Sequence, residues 1–179
     1  MKLSQPHLWL NPFKRETLDT QVLKAWRATP LLQGIRAGVC EKLVERTHVR
    51  QYQPGEYVFR EGDSAVAAAL IVQGNVVIRS DDKDIARLGA GEFFGEAALL
   101  EDTPRSASAV AEGVTLVSLL VRYQLEEFVQ HRPQAGLNIM TNLAHLLLAR
   151  LHRGNNDQND KNSPSQGEEK QIDNGNVAS

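Results

Sequence analysis

One stretch in the middle of the chain decides how the rest is interpreted. It reads Gly91-Glu92-Phe93-Phe94-Gly95-Glu96-Ala97-Ala98-Leu99-Leu100-Glu101-Asp102-Thr103-Pro104-Arg105-Ser106-Ala107-Ser108. The pattern predicts a strand end, a glycine turn, one turn of helix, a loop and a new strand. Gly95 has no Cβ, so its backbone can lie close to a ligand. A helix that starts at this glycine would present N–H groups without partners inside the helix.

The charges in this stretch suit a sugar phosphate. Unpaired N–H groups and the positive end of a helix dipole favour an anion. Arg105 follows a proline, and its planar guanidinium can pair with phosphate oxygens through two hydrogen bonds. A carboxylate such as Glu96 is repelled by a phosphate and requires a donor of its own, which a nearby sugar hydroxyl would supply. Taken singly, Arg105 could instead form a surface ion pair with Glu101 or Asp102.

The stretch resembles the phosphate-binding cassette of cyclic-nucleotide-binding domains. The similarity is carried by Phe94-Gly95-Glu96, by the small residue and leucine at 98–99, and by Pro104-Arg105-Ser106-Ala107. The resemblance implies that Glu96 holds the ribose 2′-hydroxyl, that Arg105 holds the cyclic phosphate, and that Ser106 and nearby backbone N–H groups complete the site. The contact residues expected in the cassette are Phe94, Gly95, Glu96, Ala97, Ala98, Arg105, Ser106 and Ala107.

Size and composition are those of a soluble globular protein. The 179 residues allow one ordinary domain with extensions, and 41% of them are hydrophobic and 23% charged. The net charge of −2 gives no basic field for nucleic acid. The one cysteine, Cys40, excludes an internal disulfide and suits a reducing compartment. No apolar run is long enough for a membrane span or a signal peptide, so we expect a cytoplasmic, bacterial protein.

The centre of the chain reads as short strands cut by turn residues. Eight strands with no long helix between them predict a mainly β fold with flanking helices, a jelly-roll-type β-roll. The segments 55–63 and 71–76 also resemble the first half of a cyclic-nucleotide-binding β-roll, although Ala67-Ala68-Ala69 replaces bulkier residues common there. The predicted strands cover residues 47–53, 57–60, 67–73, 75–80, 84–88, 92–94, 105–111 and 114–121.

Helical periodicity flanks the strands. Residues 1–15 contain two prolines and predict an irregular arm, and a helix is expected from Thr17 to Ala28, with Trp26 on its apolar face. Shorter helices are predicted over 39–46 and 123–131. A long helix begins at Pro133, where proline is well tolerated, and is expected to end near Arg153.

The long helix allows two interpretations. Its apolar residues recur every three or four positions, which fits a helix that packs back on the roll or a seam between two chains. In the family that the chain resembles, this helix both pairs with its twin and covers the nucleotide, and we favour a homodimer through 133–153. The apolar stripe consists of Leu137, Met140, Ala144, Leu147 and Leu151, with Leu143 and Leu148 beside it.

The end of the chain is polar and acidic. From Gly154 onward, five acidic residues stand against two lysines, and so few apolar residues predict disorder. We therefore divide the chain into an N-terminal arm and helix (1–30), a cyclic-nucleotide-binding domain (31–153) and a disordered tail (154–179). Catabolite-activator-type transcription factors continue beyond the long helix into a helix-turn-helix, for which this tail is too short and too polar.

Recognition of the base is expected near the last helix, at Leu147 and Arg150. Arg150 could stack on a base, or it could be a cation that the end of a helix favours. An arginine also pairs with O6 and N7 of guanine, so cyclic GMP stays open. A serine after the arginine, Ser106, resembles bacterial cyclic-AMP sensors and favours cyclic AMP.

These observations predict a stand-alone sensor of a cyclic nucleotide monophosphate that signals to an unidentified protein effector. Capture of the phosphate by Arg105 would draw the cassette inward and reposition Phe128 and the last helix. No enzyme activity, metal or cofactor is expected, because no cluster of ligands or nucleophile with a base is evident. The alternatives are a β-roll that has lost its ligand and serves as a dimerising or docking module, and a sensor specific for cyclic GMP.

Overall fold

The computed structural model of the chain describes residues 16–161, with side chains through His152. The chain divides into two compact units, one that ends at Leu147 and one that begins at Leu148. The described helices are α1 (Leu18–Ala28), α2 (Ala37–Val44), α3 (Arg122–His131) and α4 (Pro133–Lys161), and 3₁₀ helices cover Pro30–Leu32 and Glu96–Leu99.

The strands form two antiparallel sheets of four, which confirms the predicted β-roll with flanking helices. The sheet orders are β1-β8-β3-β6 and β2-β7-β4-β5. The strands are β1 (His48–Tyr52), β2 (Tyr57–Phe59), β3 (Ala67–Gln73), β4 (Val76–Ser80), β5 (Lys83–Leu88), β6 (Phe93–Phe94), β7 (Ser108–Ala111) and β8 (Thr115–Val121).

Strand β3 is buried on both faces and separates two hydrophobic clusters. Successive side chains of a strand point to opposite faces. Ala69 and Ile71 therefore pack into the interior of the roll, whereas Ala68 and Leu70 pack against the helices. The three consecutive alanines at 67–69 are all buried, so the small side chains stand where the sheet is covered on both sides.

The helices cover one sheet through a shared core. The fully buried Trp26 of α1 donates a hydrogen bond from Nε1 to Ser118 Oγ of β8 (2.8 Å), and the Ser118 hydroxyl donates to Thr47 Oγ1 (3.0 Å). The Trp26 ring meets Phe93 edge-on, with 5.5 Å between centroids. Buried aromatic pairs of this geometry contribute beyond their buried area. The largest members of this helical cluster are Trp26, Leu31, Leu43, Phe93, Leu125, Phe128, Ile139 and Leu143.

The predicted strand over 105–111 begins three residues late, at Ser108. The backbone of Arg105 pairs elsewhere: its N–H donates to Asp63 O (2.8 Å), and its carbonyl accepts from Gly62 N–H (2.9 Å). These two bonds hold Arg105 against the turn after β2 instead of in the β7 ladder.

The long helix differs from its prediction in two ways. It runs on past Arg153 to Lys161, so the first eight residues of the predicted disordered tail continue the helix although glycine, asparagine and aspartate are poor helix formers. The predicted stripe is also not a single face. Leu143 is fully buried and Met140 and Leu147 pack partly against the helical cluster, whereas Leu137, Leu148 and Leu151 are 62, 51 and 60% exposed. The predicted arm at 1–15 and the tail from 162 lie outside the described residues.

Gly136 sets the approach of α4 to α3. A Cβ on this glycine would lie 2.6 Å from Val129 Cγ1 and 3.0 Å from Val129 Cβ. Alanine gains about 0.8–1.0 kcal/mol in helix propensity, but overpacking typically costs about 1–3 kcal/mol. We expect Gly136→Ala to lower the free energy of unfolding by up to about 2 kcal/mol in urea titrations, since the overpacking cost outweighs the gain in propensity.

Gly38→Ala in α2 is the matched control. A Cβ there meets no atom within 4 Å. It should be neutral or stabilise the protein by up to about 1 kcal/mol. Equal stabilisation by both alanines would show that α3 and α4 do not pack this closely.

Candidate functional site

The cassette begins at a position that only a residue without a side chain occupies without strain. β6 ends at Phe94, and Gly95 follows with φ 68° and ψ 25°, in the left-handed region. The chain then forms the 3₁₀ helix Glu96–Leu99, with Ala98 N–H donating to Gly95 O (3.2 Å). The predicted turn of helix is present, in the tighter 3₁₀ form.

The guanidinium of Arg105 lies against this glycine. Its Nη1 donates to Gly95 O (3.3 Å), and its Nη2 donates to Ala67 O at the start of β3 (2.5 Å). The Phe59 ring lies under the cation, with 3.9 Å from Cζ to the ring centroid. A Cβ on Gly95 would lie 2.7 Å from Nη1, so a side chain there would displace the arginine.

Arg105 is a half-buried cation whose hydrogen bonds go to neutral carbonyl oxygens. Its Nε is the buried side-chain nitrogen that has no hydrogen-bond partner within the described part of the chain. Burial lowers the pKa of Arg105, and the negative charges of Asp63 and Glu96 partly oppose that shift. An arginine nevertheless stays protonated at neutral pH. A buried positive charge with an unused donor is well suited to an anion.

Two neighbouring elements hold Arg105 in place. The turn after β2 is closed by the Asp63 carboxylate, which accepts from Arg60 N–H (2.8 Å), and its backbone carries the main chain of Arg105. Pro104 forms an isolated antiparallel bridge with Ser64. Sequence analysis missed Phe59, Asp63 and Ala67 as parts of the site. In the sequence, the segment 55–63 stands out by its resemblance to a cyclic-nucleotide-binding β-roll, and its glycines and acidic residues are the signal that points to a turn near the site.

Glu96 lies in the first turn of the 3₁₀ helix and is only 5% exposed. Glu96 is near enough to Arg105 for its negative charge to oppose part of the lowering of the Arg105 pKa that burial causes. The structure therefore brings Gly95, Glu96 and Arg105 together, as the sequence predicts. A buried carboxylate and a half-buried guanidinium one loop apart can bind groups of opposite polarity in one ligand.

The other predicted cassette residues differ in exposure. Phe94 points into the roll, where its ring centroid lies 5.8 Å from that of Phe59. Ala98 is fully buried, and Ala97 is exposed. Ser106 is exposed and Ala107 half-buried, beside the arginine.

The alternative of a surface ion pair gains no support at Asp102. Its Oδ1 accepts from the Ser64 hydroxyl (2.7 Å), and its Oδ2 lies 3.9 Å from Arg122 Nη2. Glu101 is exposed. The carboxylate of Asp102 thus links the end of the cassette to the start of α3.

The residues predicted near the base lie in different units. Leu147 is half-buried and packs against the helical cluster. Arg150 is exposed and belongs to the unit that begins at Leu148. Their role in base recognition stays a prediction.

Between residues 16 and 161, no helix combines the length and apolar character needed to cross a bilayer. No three His, Cys, Asp or Glu side chains come together as metal ligands in that part of the chain.

Comparison with known proteins agrees with the geometry. A family model described as the cyclic nucleotide-binding domain matches residues 49–132. Glutaminase 1 of Bradyrhizobium diazoefficiens is 38% identical over 123 residues, 68% of this chain and 20% of that protein. The cyclic AMP receptor protein of Thermus thermophilus is 32% identical over 130 residues, 70% of this chain and 58% of that protein.

A solved structure shows the same fold. A cyclic nucleotide-binding domain from Methylobacillus flagellatus superposes with a TM-score of 0.71 at 24% identity, covering 83% of this chain and 86% of that one. The chain spans about a fifth of the glutaminase and less than two thirds of the receptor protein. The matched segment, residues 49–132, contains Gly95, Glu96 and Arg105, and this part of the chain matches the cyclic nucleotide-binding domain family.

Proposed function

We propose that the chain is a sensor of a cyclic nucleotide monophosphate, with cyclic AMP as the favoured ligand. Arg105 would bind the cyclic phosphate and Glu96 the ribose 2′-hydroxyl. The observation that carries the proposal is the half-buried Arg105 with its unpartnered Nε, next to the buried Glu96. Ser106 and the backbone around Ala97, Ala98 and Ala107 would complete the phosphate site.

A cyclic phosphate fits the chemistry of the arginine. The carbonyls of Gly95 and Ala67 carry only partial charges, so they compensate a desolvated guanidinium incompletely. A phosphate offers a full negative charge and acceptors that a planar fork can bind in pairs. Binding would exchange weak acceptors for strong ones and give the buried Nε a partner.

A ribose fits the chemistry of the glutamate. Two negative groups close together disfavour each other, so Glu96 is better placed for a hydroxyl donor than for the phosphate itself. A cyclic nucleotide carries that hydroxyl on the sugar next to the phosphate. One ligand would therefore satisfy both charged side chains.

The preference for cyclic AMP has two supports. Ser106 directly follows Arg105, and a serine at this place resembles bacterial cyclic-AMP sensors. A relative with 32% identity carries the name cyclic AMP receptor protein. Leu147 and Arg150 are the proposed neighbours of the base.

The helical cluster offers a route from the site to the helices. Phe93 and Leu99 flank the Gly95 turn and share that cluster with Phe128 and Leu143. Close-packed cores transmit displacements, because side chains cannot shift without their neighbours. Movement of the cassette would therefore change the positions favoured by α3 and α4, if the nucleotide binds one arrangement better.

A second candidate function is a nucleotide-free docking module. The observation that favours it is that Gly95 O and Ala67 O already accept from both terminal nitrogens of Arg105. A roll that has lost its ligand could keep the arginine for this internal role. The titration below distinguishes the two functions.

The domain family that matches residues 49–132 is regulatory, which supports a role in which the chain acts through another protein. We propose that residues 31–153 form the sensing domain, that the chain works in the cytoplasm, and that it acts on a protein effector. We also propose a homodimer through 133–153. Leu137, Leu148 and Leu151 support it, since they are exposed at heptad-like spacing on α4.

Arg105→Ala tests the proposed function directly. Calorimetric titration of the wild type should give heat with cyclic AMP and weaker binding with cyclic GMP. The variant should bind more weakly by about 2–5 kcal/mol, because a desolvated phosphate loses its charged partner.

Arg87→Ala is the control for the arginine. Arg87 is an exposed arginine of β5 that pairs with Glu112, and its removal should leave the titration unchanged. The thermal unfolding of both variants should also be measured without nucleotide, because Arg105 donates hydrogen bonds to Ala67 and Gly95 and its loss can lower stability. No heat from the folded wild type with either nucleotide would favour the docking module.

Glu96→Gln tests the sugar contact. The wild type should lose about 1.5–3 kcal/mol of affinity with 2′-deoxy cyclic AMP, the range for hydrogen bonds to charged groups. The variant should bind cyclic AMP weakly and should scarcely distinguish the two nucleotides. A double-mutant cycle gives the coupling between carboxylate and hydroxyl. A coupling of zero would remove Glu96 from the ribose site and leave the phosphate contact intact.

Leu148→Glu combined with Leu151→Glu tests the dimer. Charged residues in an apolar seam should shift sedimentation from dimer to monomer, since they would be desolvated without partners. Ala149→Glu adds a charge between the two positions on the same exposed helix and should leave the dimer intact. A wild type that sediments as a monomer at high micromolar concentration would refute the homodimer.

A further inference from the structure

A groove far from the cassette lies between α1, α2 and β1. Its volume is about 480 Å³, within the range of about 300–1,000 Å³ found for ligand pockets. Val22 and Leu23 of α1, Val44 of α2 and Val49 of β1 supply its apolar lining. Val49 is 40% exposed, which is unusual for a valine beside a core. None of these residues takes part in the proposed nucleotide site.

The groove is also acidic. Among the described residues that line it, Asp19, Glu41 and Glu45 are acidic and none is a lysine or an arginine. Glu45 is partly neutralised by Lys42, with 3.0 Å between Nζ and Oε2. Asp19 and Glu41 are exposed, so they are available to a cation that approaches from solvent. An apolar lining with carboxylates calls for an occupant that is both apolar and positively charged.

Residues 1–15 of this chain have that chemistry. They contain no aspartate or glutamate and three cationic side chains, Lys2, Lys14 and Arg15. They also contain six large apolar side chains, which are Met1, Leu3, Leu8, Trp9, Leu10 and Phe13. This segment lies outside the described residues, and it joins the chain directly before α1.

The attachment point places the segment within reach of the groove. An extended chain spans up to about 3.6 Å per residue, so Phe13 lies within about 14 Å of the Thr17 N-cap of α1. Asp19 and Thr20, which line the groove, belong to the first turn of that helix. A short tether also gives an effective concentration of about millimolar, which favours this segment over a free peptide of the same chemistry.

We propose that residues 1–15 bind in the α1–α2–β1 groove of their own chain, with Trp9 and Phe13 on its apolar lining and Lys14 and Arg15 near Asp19 and Glu41. The proposal goes beyond nucleotide sensing and does not depend on it. It assigns the groove as an internal docking surface that a competing partner of similar chemistry would have to open.

Tryptophan fluorescence of the full chain tests this placement. The chain has two tryptophans, and Trp26 is fully buried, so the difference between wild type and Trp9→Phe isolates Trp9. Trp9 should emit at short wavelength and resist quenching by acrylamide. Asp19→Lys combined with Glu41→Lys should raise its quenching to that of a free indole, because like charges then repel Lys14 and Arg15. Adding Lys14→Glu and Arg15→Glu to that variant should restore protection.

Controls separate this docking from other causes. Glu126→Lys reverses an exposed carboxylate on α3 and should leave Trp9 protected. Thr20→Arg places a cation in the groove with less change to α1, and it should release Trp9 even if the double variant unfolds early. Trp9 that is quenched as a free indole in the wild type, or reversal no more effective than Glu126→Lys, overturns the proposal. Protection that disappears on dilution, together with dissociation in sedimentation, would assign the groove to a second copy instead.

Discussion

The contact between the Arg105 guanidinium and the backbone of Gly95 is the constraint on which the site depends. It exists because Gly95 has no Cβ and adopts a left-handed conformation that other residues rarely tolerate. The same backbone geometry starts the 3₁₀ helix that carries Glu96. One glycine therefore sets the positions of both charged side chains, and a methyl group there would move the cation out of its place.

The cassette is anchored by two consecutive phenylalanines that face opposite ways. Phe94 packs into the interior of the roll, and Phe93 packs against Trp26 among the helices. This follows from the alternation of side chains along a strand, since β6 lies at the edge of the sheet that the helices cover. Gly95 is thus one residue from the interior of the roll, through Phe94, and two residues from the helical cluster, through Phe93. The site is tied to the helices by packing, which supports the proposed sensing role.

Prediction from sequence succeeded where the signal was local. The short strands separated by turn residues, the glycine turn, and the proximity of Glu96 to Arg105 all follow from residues close together in the chain. Prediction from sequence failed where hydrogen bonds or packing between distant segments set the structure. The start of β7 is delayed because Arg105 bonds the turn at Gly62 and Asp63. The predicted apolar stripe of α4 is divided between buried and exposed residues, because periodicity does not say which apolar residues meet the core and which remain exposed.

The mainly β fold, the boundaries of most strands, and the cassette with its glycine, glutamate and arginine can be predicted from the amino-acid sequence. The surroundings of the arginine depend on how the chain folds: the Phe59 ring, the Ala67 carbonyl and the charge of Asp63 come from the strands β2 and β3 and the turn between them. The same holds for the acidic groove between α1, α2 and β1. The reason is that strands and turns are determined largely by the order of neighbouring residues. Burial, desolvation and the partners of a charge depend instead on segments far apart in the chain, which meet only when the two sheets close.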